Sequence, residues 1–164
     1  MAMMTSRLFL DLDGVLADFD AHYERLFDVR LHRGMGEDPP GLWDNIRNAG
    51  TFYRDMPLMP DALELWEGVK HLSPTILTGV PYHQVPEAEA HKRAWMAERF
   101  GADVSVVCCK SRDKRLHGRP GDVLIDDWDK YEWLWKAMGG AFILHRTARE
   151  SLRRLSIEMQ MEMK

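Results

Sequence analysis

The chain has 164 residues, 45% hydrophobic and 29% charged, which suits one packed domain of ~150 residues and excludes global disorder. Lys plus Arg number 22 against 26 Asp plus Glu, and a formal charge of −4 disfavours grip on a nucleic-acid polymer. No run approaches the ~20 apolar residues of a membrane span, and Asp11 and Asp13 interrupt the only N-terminal apolar run, a poor signal peptide. The two cysteines, Cys108 and Cys109, are adjacent and cannot staple distant segments, which points to a reducing cytoplasm and to small core residues ending a strand.

Leu8-Phe9-Leu10 is a short aliphatic run ending in Asp11-Leu12-Asp13-Gly14, the pattern of a buried strand entering a turn. The next segment, 20–72, is long for a single crossover. Helical stretches at Tyr23 to Leu31 and Leu42 to Asn48 flank a turn-rich middle, Arg33 to Gly41, and predict a small helical cap over the strand ends. Leu63, Trp66 and Val69 recur at helical spacing after Pro60-Asp61. Beyond them, 73–164 alternates runs and helices. The runs are Thr75-Ile76-Leu77, Val104 to Val107, Val123-Leu124-Ile125 and Ala141 to Leu144. The helical stripes are Ala94, Trp95, Ala97 and Phe100, ending at Gly101, then Tyr131, Leu134, Trp135 and Met138, ending at Gly139-Gly140. Strands alternating with helices predict an α/β fold, a parallel sheet covered on both faces. The tail from Arg146 opens as an amphipathic helix with Leu152 and Leu155 inward, and Arg146, Arg149, Arg153 and Arg154 form a solvated face. Its alternating Met159, Met161 and Met163 predict a frayed end.

In open α/β sheets, ligands bind beyond the carboxyl ends of the strands. The first run is followed by Asp11 and Asp13, the second by Thr78-Gly79, the third by Lys110, Arg112 and Lys114, and the fourth by Asp126-Asp127. Four carboxylates cannot converge unaided, because a like-charge pair at 4 Å costs about 4 kcal/mol at an effective dielectric near 20. An all-oxygen set calls for a hard divalent ion, Mg²⁺ before zinc. Such an ion would neutralise phosphoryl oxygens, with Lys114 and Thr78 holding them by charge and hydrogen bonds. One aspartate can then attack phosphorus. Another, two residues along and on the same side of the extended chain, can shuttle the proton.

The segment Asp11-Leu12-Asp13-Gly14-Val15-Leu16-Ala17-Asp18-Phe19 resembles the first motif of the haloacid dehalogenase superfamily of phosphohydrolases. Leu77-Thr78-Gly79 resembles its second motif, Arg112-Asp113-Lys114 its third, and Gly121 to Asp127 its fourth. Within that superfamily the chain looks most like the 5'(3')-deoxyribonucleotidases, through the opening motif, Gly50 to Ala62, the helix around Lys92-Arg93-Ala94-Trp95 and the fourth motif. The resemblance implies a Rossmann-like three-layer core (1–19 plus 73–164) with the cap (20–72) inserted after the first strand. It implies Asp11 as nucleophile and Asp13 as acid, then base. It implies Mg²⁺ held by the Asp11 carboxylate, the Asp13 backbone carbonyl and Asp127, with Asp126 in support, and phosphate held by Thr78, Gly79 and Lys114. The expected substrate is a small phosphorylated metabolite, a nucleoside monophosphate first.

Three features depart from that pattern. Gly79 stands where the deoxyribonucleotidases usually carry Ser, and the cap is shorter. The link from Lys114 to Asp126 is longer, which leaves Lys110 as a rival for the lysine role. In the cap, Phe19, Trp43, Phe52 and Tyr53 are candidates to stack on a base and Arg54 to meet a second anionic group, or else they pack the cap itself. The seven histidines show no metal-ligand spacing and read as surface or cap residues. A calcium loop is disfavoured, since Leu16, Ala17 and Phe19 are wrong for one. A receiver module would place both acidic groups before its Thr and Lys, whereas Thr78 and Lys114 precede Asp126-Asp127. A sugar-phosphate phosphatase and a non-catalytic phosphate-binding protein remain as alternatives.

Overall fold

A computed structural model describes residues 5–31 and 38–162, with side chains through 159. Five strands form one sheet: β1 (Leu8–Leu10), β2 (Thr75–Gly79), β3 (Val106–Cys109), β4 (Val123–Asp126) and β5 (Ala141–Leu144). Their order is β3-β2-β1-β4-β5 and every pairing is parallel. The helices are α1 (Phe19–Phe27), α2 (Leu42–Asn48), α3 (Ala62–Val69), α4 (Ala88–Phe100), α5 (Glu132–Met138) and α6 (Ala148–Glu162). The α/β expectation and the five runs are borne out, and the fold is a Rossmann-like parallel sheet.

Strand alternation builds two cores. Leu8, Leu10, Ile76, Val123, Ile125 and Ile143 face a large core with α3, α4 and α6. Phe9, Leu77, Cys109, Leu124 and Phe142 face a smaller one, which Trp135 of α5 closes edge-on against Phe9, ring centroids 5.6 Å apart. The second face has thinner cover: between β3 and β4 lies only a 3-10 segment, Ser111–His117.

Several boundaries differ from the sequence pattern. Helix α1 begins at Phe19 because the Asp18 carboxylate accepts the Ala21 N–H at 3.1 Å, and it ends at Phe27 because Asp28 turns left-handed. Strand β3 lies two residues later than the Val104–Val107 run and takes in both cysteines, pairing Thr78 with Cys108 and Gly79 with Cys109. Helix α3, the end of the 20–72 segment, packs along α6, where Gly68 meets Leu152. Helix α6 runs to Glu162, with Met159 against the large core, while the last of the three alternating methionines, Met163, lies outside the described residues. His145 is likewise not at the surface. It is buried at the end of β5 and bonded to Ser151 Oγ at 2.7 Å, and burial lowers its pKa. Among the described residues, no helix is long and apolar enough to cross a membrane.

Candidate active site

The site begins with a tight turn at the carboxyl end of β1. The Leu12 carbonyl accepts the N–H groups of Val15, Leu16 and Ala17, and Gly14 N–H reaches back to Ala17 O at 2.8 Å. Gly14 adopts φ +81°, and a Cβ there would stand 1.8 Å from Asp127 Oδ2. Only glycine admits both this turn and the carboxylate lying across it. The far side of the turn is pinned by Asp18 N–H to Pro57 O and Met59 N–H to Leu16 O, both 2.8 Å. Asp11 and Asp13 are therefore held by backbone on two sides.

Strand β4 ends next to β1, with Leu10 opposite Ile125. That register brings one ligand oxygen each from Asp11, Asp126 and Asp127 within 4.8 Å of one another. Lys114, buried on the 3-10 segment, bridges Asp11 Oδ1 at 3.1 Å and Asp126 Oδ2 at 2.8 Å. Trp128 N–H donates to Asp126 Oδ1 at 3.1 Å. Burial pushes the Asp11 carboxyl up to about 6, Asp126 adds to the rise, and Lys114 opposes it. Burial acts on Asp126 in the same sense, but the Lys114 ammonium and the hydrogen bond with Asp11 outweigh it and hold Asp126 low. For Lys114 burial opposes the charge, yet Asp11 and Asp126 together raise its pKa. One ammonium among three clustered carboxylates leaves a negative, all-oxygen pocket, a donor set that fits a hard divalent cation.

Of the two candidate lysines, Lys114 reaches the carboxylates and Lys110 does not: it is exposed on the cavity wall. Thr78 is fully buried, its Oγ1 accepting from Lys92 at 3.1 Å. Gly79 is open to the cavity. A Cβ there would meet Ser111 Oγ at 2.0 Å, so the missing side chain is what admits Ser111 to the wall. The cavity, about 760 Å³, runs from Asp11, Asp13, Asp126 and Asp127 to Phe19, Leu42, Trp43 and Tyr53 of the α1–α2 region. Phe52 and Arg54 stand apart from it. Phe52 is buried against Phe19, His22 and Tyr53, and Arg54 is exposed and paired with Glu98.

Lys92 is the participant that motif reading passed over. It lies among Ala88, Trp95 and Met96 on the buried face of α4, at helical spacing. A lysine at i+4 within an otherwise apolar stripe was the available signal.

A candidate 5'(3')-deoxyribonucleotidase of Bordetella pertussis is 31% identical over 137 residues, 73% of this chain and 73% of that protein. The chain belongs to the 5'(3')-deoxyribonucleotidase family. As such it is a phosphohydrolase of the haloacid dehalogenase superfamily. The mitochondrial 5'(3')-deoxyribonucleotidase of Mus musculus is 28% identical over 142 residues, 74% of this chain and 64% of that one. A haloacid dehalogenase-like hydrolase from Streptococcus pneumoniae shares the fold, with TM-score 0.50 at 13% identity over 92% of this chain and 90% of that one. No protein-family profile matches.

Proposed function

We propose that this deoxyribonucleotidase-family member is a Mg²⁺-dependent phosphomonoesterase that works through an aspartyl-phosphate intermediate, with deoxyribonucleoside monophosphates as substrates. The observation that carries the reading is the convergence of Asp11, Asp126 and Asp127 around Lys114 at one end of a cavity walled by cap aromatics. Asp11, Asp127 and the Asp13 backbone carbonyl would hold the ion, and Asp126 would support the site through its bond to Lys114. Bound there, Mg²⁺ would neutralise phosphoryl oxygens and lower the barrier to anionic attack.

Asp11 is the nucleophile. Its carboxylate oxygen bonds to phosphorus as the ester P–O bond breaks, and Asp13 gives a proton to the leaving oxygen. In the second half Asp13 takes a proton from water as that water attacks phosphorus, and the bonding pair returns to Asp11. Lys114 and Thr78 hold the phosphoryl group, and Ser111 adds a hydroxyl beside the open backbone of Gly79. The cap (20–72) selects the leaving group, with Trp43 and Tyr53 as stacking surfaces, Phe19 beside them where the core meets the cap, and Phe52 packing behind them.

Phosphate release from a panel of deoxyribonucleoside monophosphates and sugar phosphates, with and without Mg²⁺, tests the reading. Nucleotides should lead, EDTA should abolish turnover, and Asp11→Asn should remove it while leaving the fold intact. A panel led by sugar phosphates would overturn the nucleotidase assignment. Turnover surviving in Asp11→Asn would overturn the nucleophile.

A further inference from the structure

Helix α4 sends a single cation into the site from beneath. Lys92 is 1% exposed, and its ammonium has three donors, all engaged. They go to Asp13 Oδ2 at 2.8 Å, Thr78 Oγ1 at 3.1 Å and the Gly79 carbonyl at 2.7 Å. The Tyr53 ring centroid lies 4.8 Å from the same nitrogen. Asp13 Oδ1, by contrast, is shielded from solvent and has no hydrogen-bond partner among the described residues.

We infer that Lys92 is a positioning residue for proton transfer to the leaving group, an inference that rests on the reading of Asp13 as the acid. A carboxylate free to rotate would present either oxygen. Fastening Oδ2 to an immobile buried ammonium stops that rotation and sets the one direction in which the carboxyl faces the cavity. The same ammonium fixes Thr78: because Oγ1 accepts from Lys92, its own hydrogen remains to donate, and the acceptor it meets among the described residues, Gly79 O, is at the 3.5 Å limit. With its three protons committed, Lys92 has none left to bind phosphate directly. Tyr53 stands over it from the cap side, so seating of the cap and placement of the acid share one contact.

The test is a leaving-group series, from p-nitrophenyl phosphate, whose phenolate departs without a proton, to an alkyl phosphate, whose alkoxide does not. Misplacing a general acid costs on the order of 100-fold or more where protonation is needed. Lys92→Met is therefore expected to lose about 100-fold in kcat/KM for the alkyl ester and at least ten times less for p-nitrophenyl phosphate, because kcat/KM reports transfer to Asp11 and not the later water attack that all esters share. Asp13→Asn should show the same slope, and the double variant should add little to either single change. Lys92→Arg keeps a buried cation and should show the same trend with a smaller loss, so the series remains readable if the Met variant does not fold. Equal losses across the series, or a rise in KM alone, would overturn the inference in favour of a phosphate-binding or purely structural lysine. A wild-type protein inactive on every ester would instead overturn the phosphatase reading on which it rests.

Discussion

Asp11 and Asp126 have the same chemistry and nearly the same burial, yet their pKa values move apart. Asp126 is held low by Lys114, which outweighs its burial, whereas burial wins at Asp11 and pushes it up to about 6. For a carboxyl whose folded pKa is raised, the folded state binds the proton more tightly than the unfolded state. Stability therefore falls as pH rises from the ordinary 3.8 to about 6, and the loss is complete above that. In EDTA, Asp11→Asn should gain stability relative to wild type across this window, by about 3 kcal/mol in total. Urea unfolding of both proteins from pH 4 to 8 checks the sign. A gap that stays constant with pH would show that Asp11 ionises without penalty. Divalent cation should reverse the order at pH 7, because only the wild type can be stabilised by binding it fully. Most of the residues in this balance are legible from sequence because acids and a lysine follow apolar runs. Lys92 is harder to read, since only its helical spacing sets it apart from the solvated His91 and Arg93 until α4 packs beside β3 and brings its ammonium to Thr78 and Gly79.

At the scale of elements, the first turn depends on one residue without a side chain. Gly14 combines a left-handed backbone with a Cα lying against the Asp127 carboxylate. Gly14→Ala should cost about 1–2 kcal/mol in backbone strain and displace Asp127. Its clearer consequence should be a fall of at least about tenfold in Mg²⁺ affinity, as for a disturbed ligand sphere, read by calorimetry. Unchanged affinity would place Asp127 outside the cation site. The motif showed that a glycine belongs here but could not show what crosses it. The same is true of Gly79, whose want of a side chain becomes intelligible only when β3 delivers Ser111 beside it. Strand runs were readable because two-sided burial makes them continuously apolar. The start of α1 was misplaced because the Asp18 cap precedes the apolar stripe, and β3 was shifted because Cys108-Cys109 lacks the aliphatic signature of its neighbours.

For the whole molecule, the −4 of the composition acquires a place. Asp11, Asp126 and Asp127 gather in one pocket with Asp13 beside it, while other acids such as Asp122 pair with Arg7 at the opposite end of β4. The sheet order puts β1 between β2 and β4, so the strand that leads into Asp11 receives the threonine from one neighbour and the acidic pair from the other. The central claim is that Asp11 carries the phosphoryl group during turnover. Acid quench of the enzyme at steady state, borohydride reduction of any acyl phosphate and peptide mass spectrometry test it directly. Homoserine should appear at position 11, only in the presence of substrate and Mg²⁺. Reduction at Asp13 or Asp126, or vigorous turnover with an unmodified Asp11 and no accumulated adduct even when water attack is slowed by Asp13→Asn, would contradict it.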